Sequence, residues 1–133
     1  MKRKPALYYD SHPNNKMWRN KGDHLWSFII NLEPCAICGN VNTQAHHILT
    51  KGSYPQYRHH LLNGIPLCPY HHIGQKRGLV SGHGSPLAFM DWLEENRPDQ
   101  YVWVQAARRV NEKRELTWKE SYEHLLKIAE GME

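Results

Sequence analysis

The sequence predicts a small α+β domain in which two short strands and a helix, braced by metal ligands, are flanked by α-helices at both ends. Three observations predict it. All three cysteines and most of the ten histidines crowd into the middle of the chain. That middle is also dense in Gly, Pro and Asn, which suits short strands and loops held by a metal more than by a large core. Apolar residues recur at helical spacing before and after it. At 133 residues the chain lies within the size of one domain. Residues 1–133 are therefore expected to form a single unit, with an irregular arm over 1–21, a core module with its leading helix over 22–84, and C-terminal helices over 85–133.

Each element has its own signal. Residues 1–21 hold Pro5, Pro13, Asn14, Asn15 and scattered Lys and Arg without an apolar period, so they read as irregular. From Gly22 onward Leu25, Trp26, Ile29 and Leu32 recur at helical spacing, and Pro34 stops the run. Strands are expected over 41–47 and over 64–67. A helix is expected to begin near Pro69, since proline suits a first helical position, and to end at Gly78. Ser85-Pro86 reads as a cap and first-turn proline for a helix that carries Leu87, Met90 and Leu93 and closes near Arg97-Pro98. Two amphipathic helices follow, over 101–109 and 117–129, the second opened by Thr117-Trp118-Lys119-Glu120 at capping-box spacing. Trp92, Tyr101 and Trp103 are expected to seal the core.

Composition narrows the function classes. No apolar run approaches the ~20 residues of a membrane span, and the basic N-terminus lacks the apolar stretch of a secretory signal. An intracellular, cytoplasmic protein without a membrane partner is expected. Three cysteines there argue for metal binding over a disulfide framework, because one thiol would be left over in a reducing compartment. A net charge of +4 fits a polyanionic partner.

The cysteines are spaced as metal ligands. Cys35-Ala36-Ile37-Cys38-Gly39 is a CxxC followed by glycine, and Cys68-Pro69-Tyr70-His71 is a CxxH. Cys35, Cys38, Cys68 and His71 together supply three sulfurs and one nitrogen, the closed tetrahedral set of a structural Zn2+ site. His72 is an alternative fourth ligand, although the spacing prefers His71 and frees His72 for another task. The competing reading is a redox pair plus one buried cysteine.

Between the two halves of this site lie further histidines. Ala45-His46-His47-Ile48 ends the first expected strand, Asn63 sits just before the second, and His72 lies on the helix after it. Read as CAICG, AHHI, NGIPLC and YHH, the stretch from Cys35 to His72 resembles the HNH endonucleases of the His-Me finger, ββα-metal type. Within that family it is most similar to members braced by a zinc site, and more loosely to phage-encoded ones. The resemblance implies a metal-dependent endonuclease that hydrolyses DNA phosphodiester bonds. It assigns His47 as general base, His46 and His72 as ligands of one catalytic divalent cation (Mg2+, Mn2+, Ni2+ or Zn2+), and Asn63 as the residue that ties down the loop between the strands.

The chemistry agrees, because phosphodiester hydrolysis needs an activated water and neutralisation of transition-state charge. Adjacent strand residues point to opposite sides, so His46 and His47 share one metal only if the strand ends or twists there. Where many relatives carry a further histidine, this chain has Lys76. Two readings of His83 stand beside each other, a ligand that folds back to complete the shell and a plain loop histidine.

A nucleic-acid surface is expected from Lys51, Tyr54 and Arg58 in the loop between the strands and from Lys76 and Arg77 on the helix expected to begin near Pro69. Such contacts go to phosphates, so little sequence preference is expected. The rival function is a non-catalytic zinc module that binds nucleic acid. It leaves His46, His47 and His72 as imidazoles beyond the four ligands it needs.

Overall fold

The structure, a computed structural model, describes residues 3–75 and 78–132. Lys76 and Arg77 lie outside the described residues. The elements in order are α1 (Ala6–Asp10), α2 (Lys16–Ile30), β1 (Gln44–His47), β2 (Gly64–Leu67), α3 (Pro69–Ile73), α4 (Pro86–Asn96), α5 (Pro98–Val110) and α6 (Trp118–Gly131). Single 3-10 turns at Pro55–Tyr57 and Leu61–Asn63 shape the loop between the strands. Among the described residues no helix is long and apolar enough to cross a membrane.

The two strands pair antiparallel in the register Gln44↔Leu67, Ala45↔Pro66, His46↔Ile65 and His47↔Gly64. Alternation along β1 then sorts the side chains by face. Ala45 packs in one apolar cluster with Trp26, Ile29 and Ile30 of α2 and Leu125 of α6. Ile65 and Leu67 pack in the other with Leu49, Phe89 and Leu93 of α4 and Val104 of α5. A ribbon of two short strands has little stability alone, and here helices cover both of its sides. The turn before β1 also covers the free edge of β2, where the Ala36 N–H donates to the Pro66 carbonyl at 2.9 Å.

Three boundaries differ from the sequence expectation. Residues 1–21 are not an irregular arm, since α1 forms there and α2 begins at Lys16, capped by the Asn15 side chain accepting from the Met17 N–H at 2.8 Å. Trp18 is buried on the extra turn, so the apolar face starts earlier than Leu25. β1 begins at Gln44, because residues 35–43 are taken up by the cysteine turn. α3 stops at Ile73 and not at Gly78. The carbonyls of His71 and His72, which a longer helix would give to N–H groups four residues on, accept instead from Gly82 at 2.8 Å and His83 at 2.7 Å. The C-terminal helices fall close to expectation, and α6 carries the full Thr117–Glu120 capping box.

A polar junction joins α2, the inter-strand loop and α6. Asp23 receives the Arg58 guanidinium through Nε at 2.7 Å and Nη2 at 2.6 Å, and His59 Nε2–H donates to it at 2.8 Å. Burial alone would raise the Asp23 carboxyl, but the hydrogen bonds and charges of Arg58 and His59 hold it well below the ordinary carboxylate range. Because the folded value is depressed, this stabilisation is fully present above the unfolded carboxylate value of ~3.9 and is lost as pH falls through the folded one. Stability is expected to drop from about pH 5 downward. Asp23→Asn is expected to cost about 2–3 kcal/mol near neutrality, below the figure for fully buried pairs, and to flatten that acid-side slope. Denaturant melts of both proteins across a pH series measure the two effects.

Candidate metal and catalytic centre

Among the described residues two groups of metal-ligating side chains converge, each with its ligand atoms within 4.8 Å of one another: Cys35, Cys38 and Cys68, and His46, His72 and His83.

The first group is built by a tight turn and a strand end. The Cys35 N–H donates to the Asn40 carbonyl and the Gly39 N–H to the Cys35 carbonyl, both at 2.9 Å, which folds the CxxC back on itself. Cys68 follows β2 and precedes α3. The Cys38 and Cys68 sulfurs are 3.7 Å apart, too far for a disulfide of about 2.05 Å and suited to two thiolates sharing one tetrahedral ion. Burial would raise the Cys35 thiol, yet hydrogen bonds from the backbone of Cys68, Cys38 and Ile37 bring it below its ordinary value, which favours the thiolate a metal needs. These three cysteines lie close enough to hold a metal ion. His71 is not in the converging group, and its Nδ1–H donates to the Val80 carbonyl at 2.7 Å.

The second group brings a strand, a helix and a loop together. His46 is 4% exposed and sits edge-on to the rings of His72, His83 and Phe89 at centroid distances of 5.0, 4.7 and 5.5 Å. Burial, reinforced by the neighbouring histidines, pushes its pKa down to about 3. Its Nδ1 is buried without a hydrogen-bond partner. An orphaned imidazole nitrogen beside two further imidazoles is a donor set that fits a cation. His72 is oriented by Gln44, whose Oε1 accepts from Nδ1–H at 2.7 Å and leaves the Nε2 lone pair free. Gln44 lies two residues before His46, on the same face of β1. His83 reaches the group because the backbone of its loop is bonded to the end of α3. Gly82 permits this closeness, since a Cβ there would lie 2.8 Å from His46 Nε2.

His47 leaves β1 on the opposite face. Its ring stacks on Trp26 with centroids 3.9 Å apart and planes 8° apart, and Gly64, its cross-strand partner, leaves room for that indole. Nε2–H donates to the Arg58 carbonyl at 2.9 Å. A carbonyl only accepts, so the proton is on Nε2 and the lone pair on Nδ1. Burial, outweighing the Arg58 carbonyl, lowers the His47 pKa from its ordinary value. Although β1 separates His46 from His47, His47, His72 and His83 line one cleft with Thr50 and Lys51.

Asn63 is fully buried. Its Oδ1 accepts from the Leu49 N–H at 2.7 Å, and its Nδ2–H2 donates to the carbonyls of Leu49 at 3.0 Å and Tyr57 at 3.2 Å, so one amide spans the loop. Of the residues expected on nucleic acid, Lys51 is exposed at the cleft. Tyr54 packs against the apolar core. Arg58 is taken up by Asp23 and its side chain is 14% exposed, which removes its guanidinium from the free surface. The sequence marks Trp26 only as part of an apolar helix face, and it does not mark Gln44 or Gly82 as site residues. Only Gln44 had a usable signal, its place two residues from His46 on a strand.

Gly82→Ala is expected to weaken binding of an added divalent ion at the histidine group by about tenfold or more while leaving the metal content of the cysteine group unchanged. Calorimetric titration with nickel or manganese, alongside metal analysis, reads the two sites separately. No family model, curated protein or solved structure matches this chain.

Proposed function

We propose that this chain is a metal-dependent endonuclease of the HNH, ββα-metal type that hydrolyses DNA phosphodiester bonds with little sequence preference. One observation carries the reading: His47 has its Nε2–H committed to the Arg58 carbonyl, so its Nδ1 lone pair is free, and it shares a cleft with His72 and His83 of a three-imidazole group. The order of CAICG, AHHI, NGIPLC and YHH, similar to that family, supports the same assignment.

In this mechanism His47 Nδ1 takes the proton from the attacking water. Burial keeps the imidazole neutral and able to accept. Trp26 fixes the ring plane and the Arg58 carbonyl fixes the rotation about it. When held by His46, His72 and His83, a divalent cation would supply positive charge to the phosphate and the leaving oxygen. Three neutral imidazoles without a carboxylate favour manganese, nickel or zinc over magnesium. Cys35, Cys38 and Cys68 would hold a structural Zn2+, which would fix the end of β2 against the turn before β1. Lys51 at the rim of the cleft contacts a backbone phosphate, which carries no base information.

His47→Ala is expected to lower cleavage by roughly a hundred- to ten-thousand-fold while retaining fold, zinc and DNA binding. His72→Ala is expected to regain part of its activity as manganese or nickel is raised, and His47→Ala is not. Plasmid nicking across a panel of divalent metals makes the comparison. Cleavage by His47→Ala at the wild-type rate would leave a non-catalytic zinc module as the better description. In a separate binding assay, Lys51→Ala is expected to weaken DNA binding alike on unrelated sequences and to reduce the salt slope by about one.

A further inference from the structure

We propose that Asp23, on α2 and outside the histidine group, is a positioning residue for His47 that acts through Arg58. The inference rests on His47 as the general base. The acceptor that orients His47 is the backbone carbonyl of Arg58, at 2.9 Å from Nε2. The side chain of the same residue is gripped by both oxygens of Asp23 at 2.6 and 2.7 Å. The peptide that steers the imidazole is thus moored at its side chain to α2. One helical turn along α2, on the same side as Asp23, Trp26 stacks on the ring of His47. It also donates from its indole N–H to the His60 carbonyl at 3.0 Å. A single helix therefore sets both the plane of the imidazole and the direction of its N–H.

The mooring matters because His47 has two neutral tautomers and only one leaves Nδ1 able to accept a proton. The selecting carbonyl lies in a loop held on one side by Asn63 at the Tyr57 carbonyl and on the other by Trp26 at the His60 carbonyl, and the grip of Asp23 on Arg58 fixes the residue between them. His59 closes the junction, with Nε2–H on Asp23 at 2.8 Å and Nδ1 at 2.7 Å from the Ser121 hydroxyl of α6.

Asp23, His59 and Ser121 in line have the connectivity of a nucleophile triad, but the surroundings argue against one. The N–H groups of the first turn of α6 are already taken. Trp118 donates to Asn14 Oδ1, Lys119 to the Pro13 carbonyl and Glu120 to Thr117 Oγ1, so none remains there to hold an oxyanion. The bidentate claim of Arg58 on the carboxylate directs the junction toward the loop that bears the His47 acceptor.

The test uses the zinc-saturated full chain labelled with 15N, reading the His47 ring nitrogens by NMR beside single-turnover and steady-state cleavage. Wild type is expected to show the Nε2–H tautomer alone. Asp23→Ala is expected to mix the tautomers and lower kcat roughly tenfold, with KM for DNA unchanged within about twofold. Asp23→Asn, which keeps one oxygen to accept from Arg58 and gives up the second, is expected to fall between Asp23→Ala and wild type in both. If Asp23→Ala does not fold, Arg58→Met makes the same comparison, since it keeps the carbonyl and removes the mooring. A pure Nε2–H tautomer in the folded variants, with only the melting temperature lowered, overturns the positioning role. Tautomer mixing in the variants together with a wild-type protein that cleaves no DNA overturns the nuclease reading and upholds the link from Asp23 to His47.

Discussion

The register of four residues against four, Gln44–His47 with Gly64–Leu67, is the constraint on which the rest of the structure depends. Side chains on a strand alternate with a period of two, so a slip by one residue would exchange its faces. In the observed register Gln44 and His46 face α3 and α4, and Ala45 and His47 face α2. Gly64 stands opposite His47, where the indole of Trp26 must pass. A slip would bring a larger neighbour to that place and turn His46 away from His72 and His83.

So short a ribbon cannot hold its register by ladder hydrogen bonds alone. Three separate devices fix it. The turn before β1 is tied to β2 by the Ala36 N–H on the Pro66 carbonyl. Buried Asn63 ties the start of β2 to Leu49, just beyond β1, through two hydrogen bonds from one side-chain amide. Apolar clusters on both sides of the ribbon complete the grip. An exchange of hydrogen bonds with water contributes little net stability. The Asn63 amide is fully enclosed, however, and removing it would strand the Leu49 N–H and carbonyl without partners. Its value is best measured by that loss.

Much of this was legible in the residues themselves. The CxxC, the histidine pair, Asn63 and His72 are side chains whose chemistry is rare enough at such spacing to be noticed. The strand at 64–67 and the capped helix at Thr117 carry local signals that tertiary packing did not override. What escaped reading was long-range. Nothing near Gly74 announces that α3 gives up its last carbonyls to Gly82 and His83, because that bond is made by chain closure and not by helix propensity. Arg58 reads as a free cation until Asp23, far away in sequence, is brought beside it. Trp26 reads as ordinary core because its second role, as a platform for an imidazole, depends on which residue lies across the strand. The early start of α2 was hidden by Asn14 and Asn15, which look like a loop and in fact include the cap.

Pro66 gives the ribbon a property unrelated to the cleft. A two-stranded sheet has two open edges, and an open edge invites pairing with another chain. The Pro66 carbonyl points away from β1 and is already filled by the Ala36 N–H, while proline has no N–H to offer beside it. The outward side of β2 thus presents neither a free acceptor nor a donor at its centre. The same turn that gathers the thiols blunts that edge, which denies β2 to a strand of another chain at its centre.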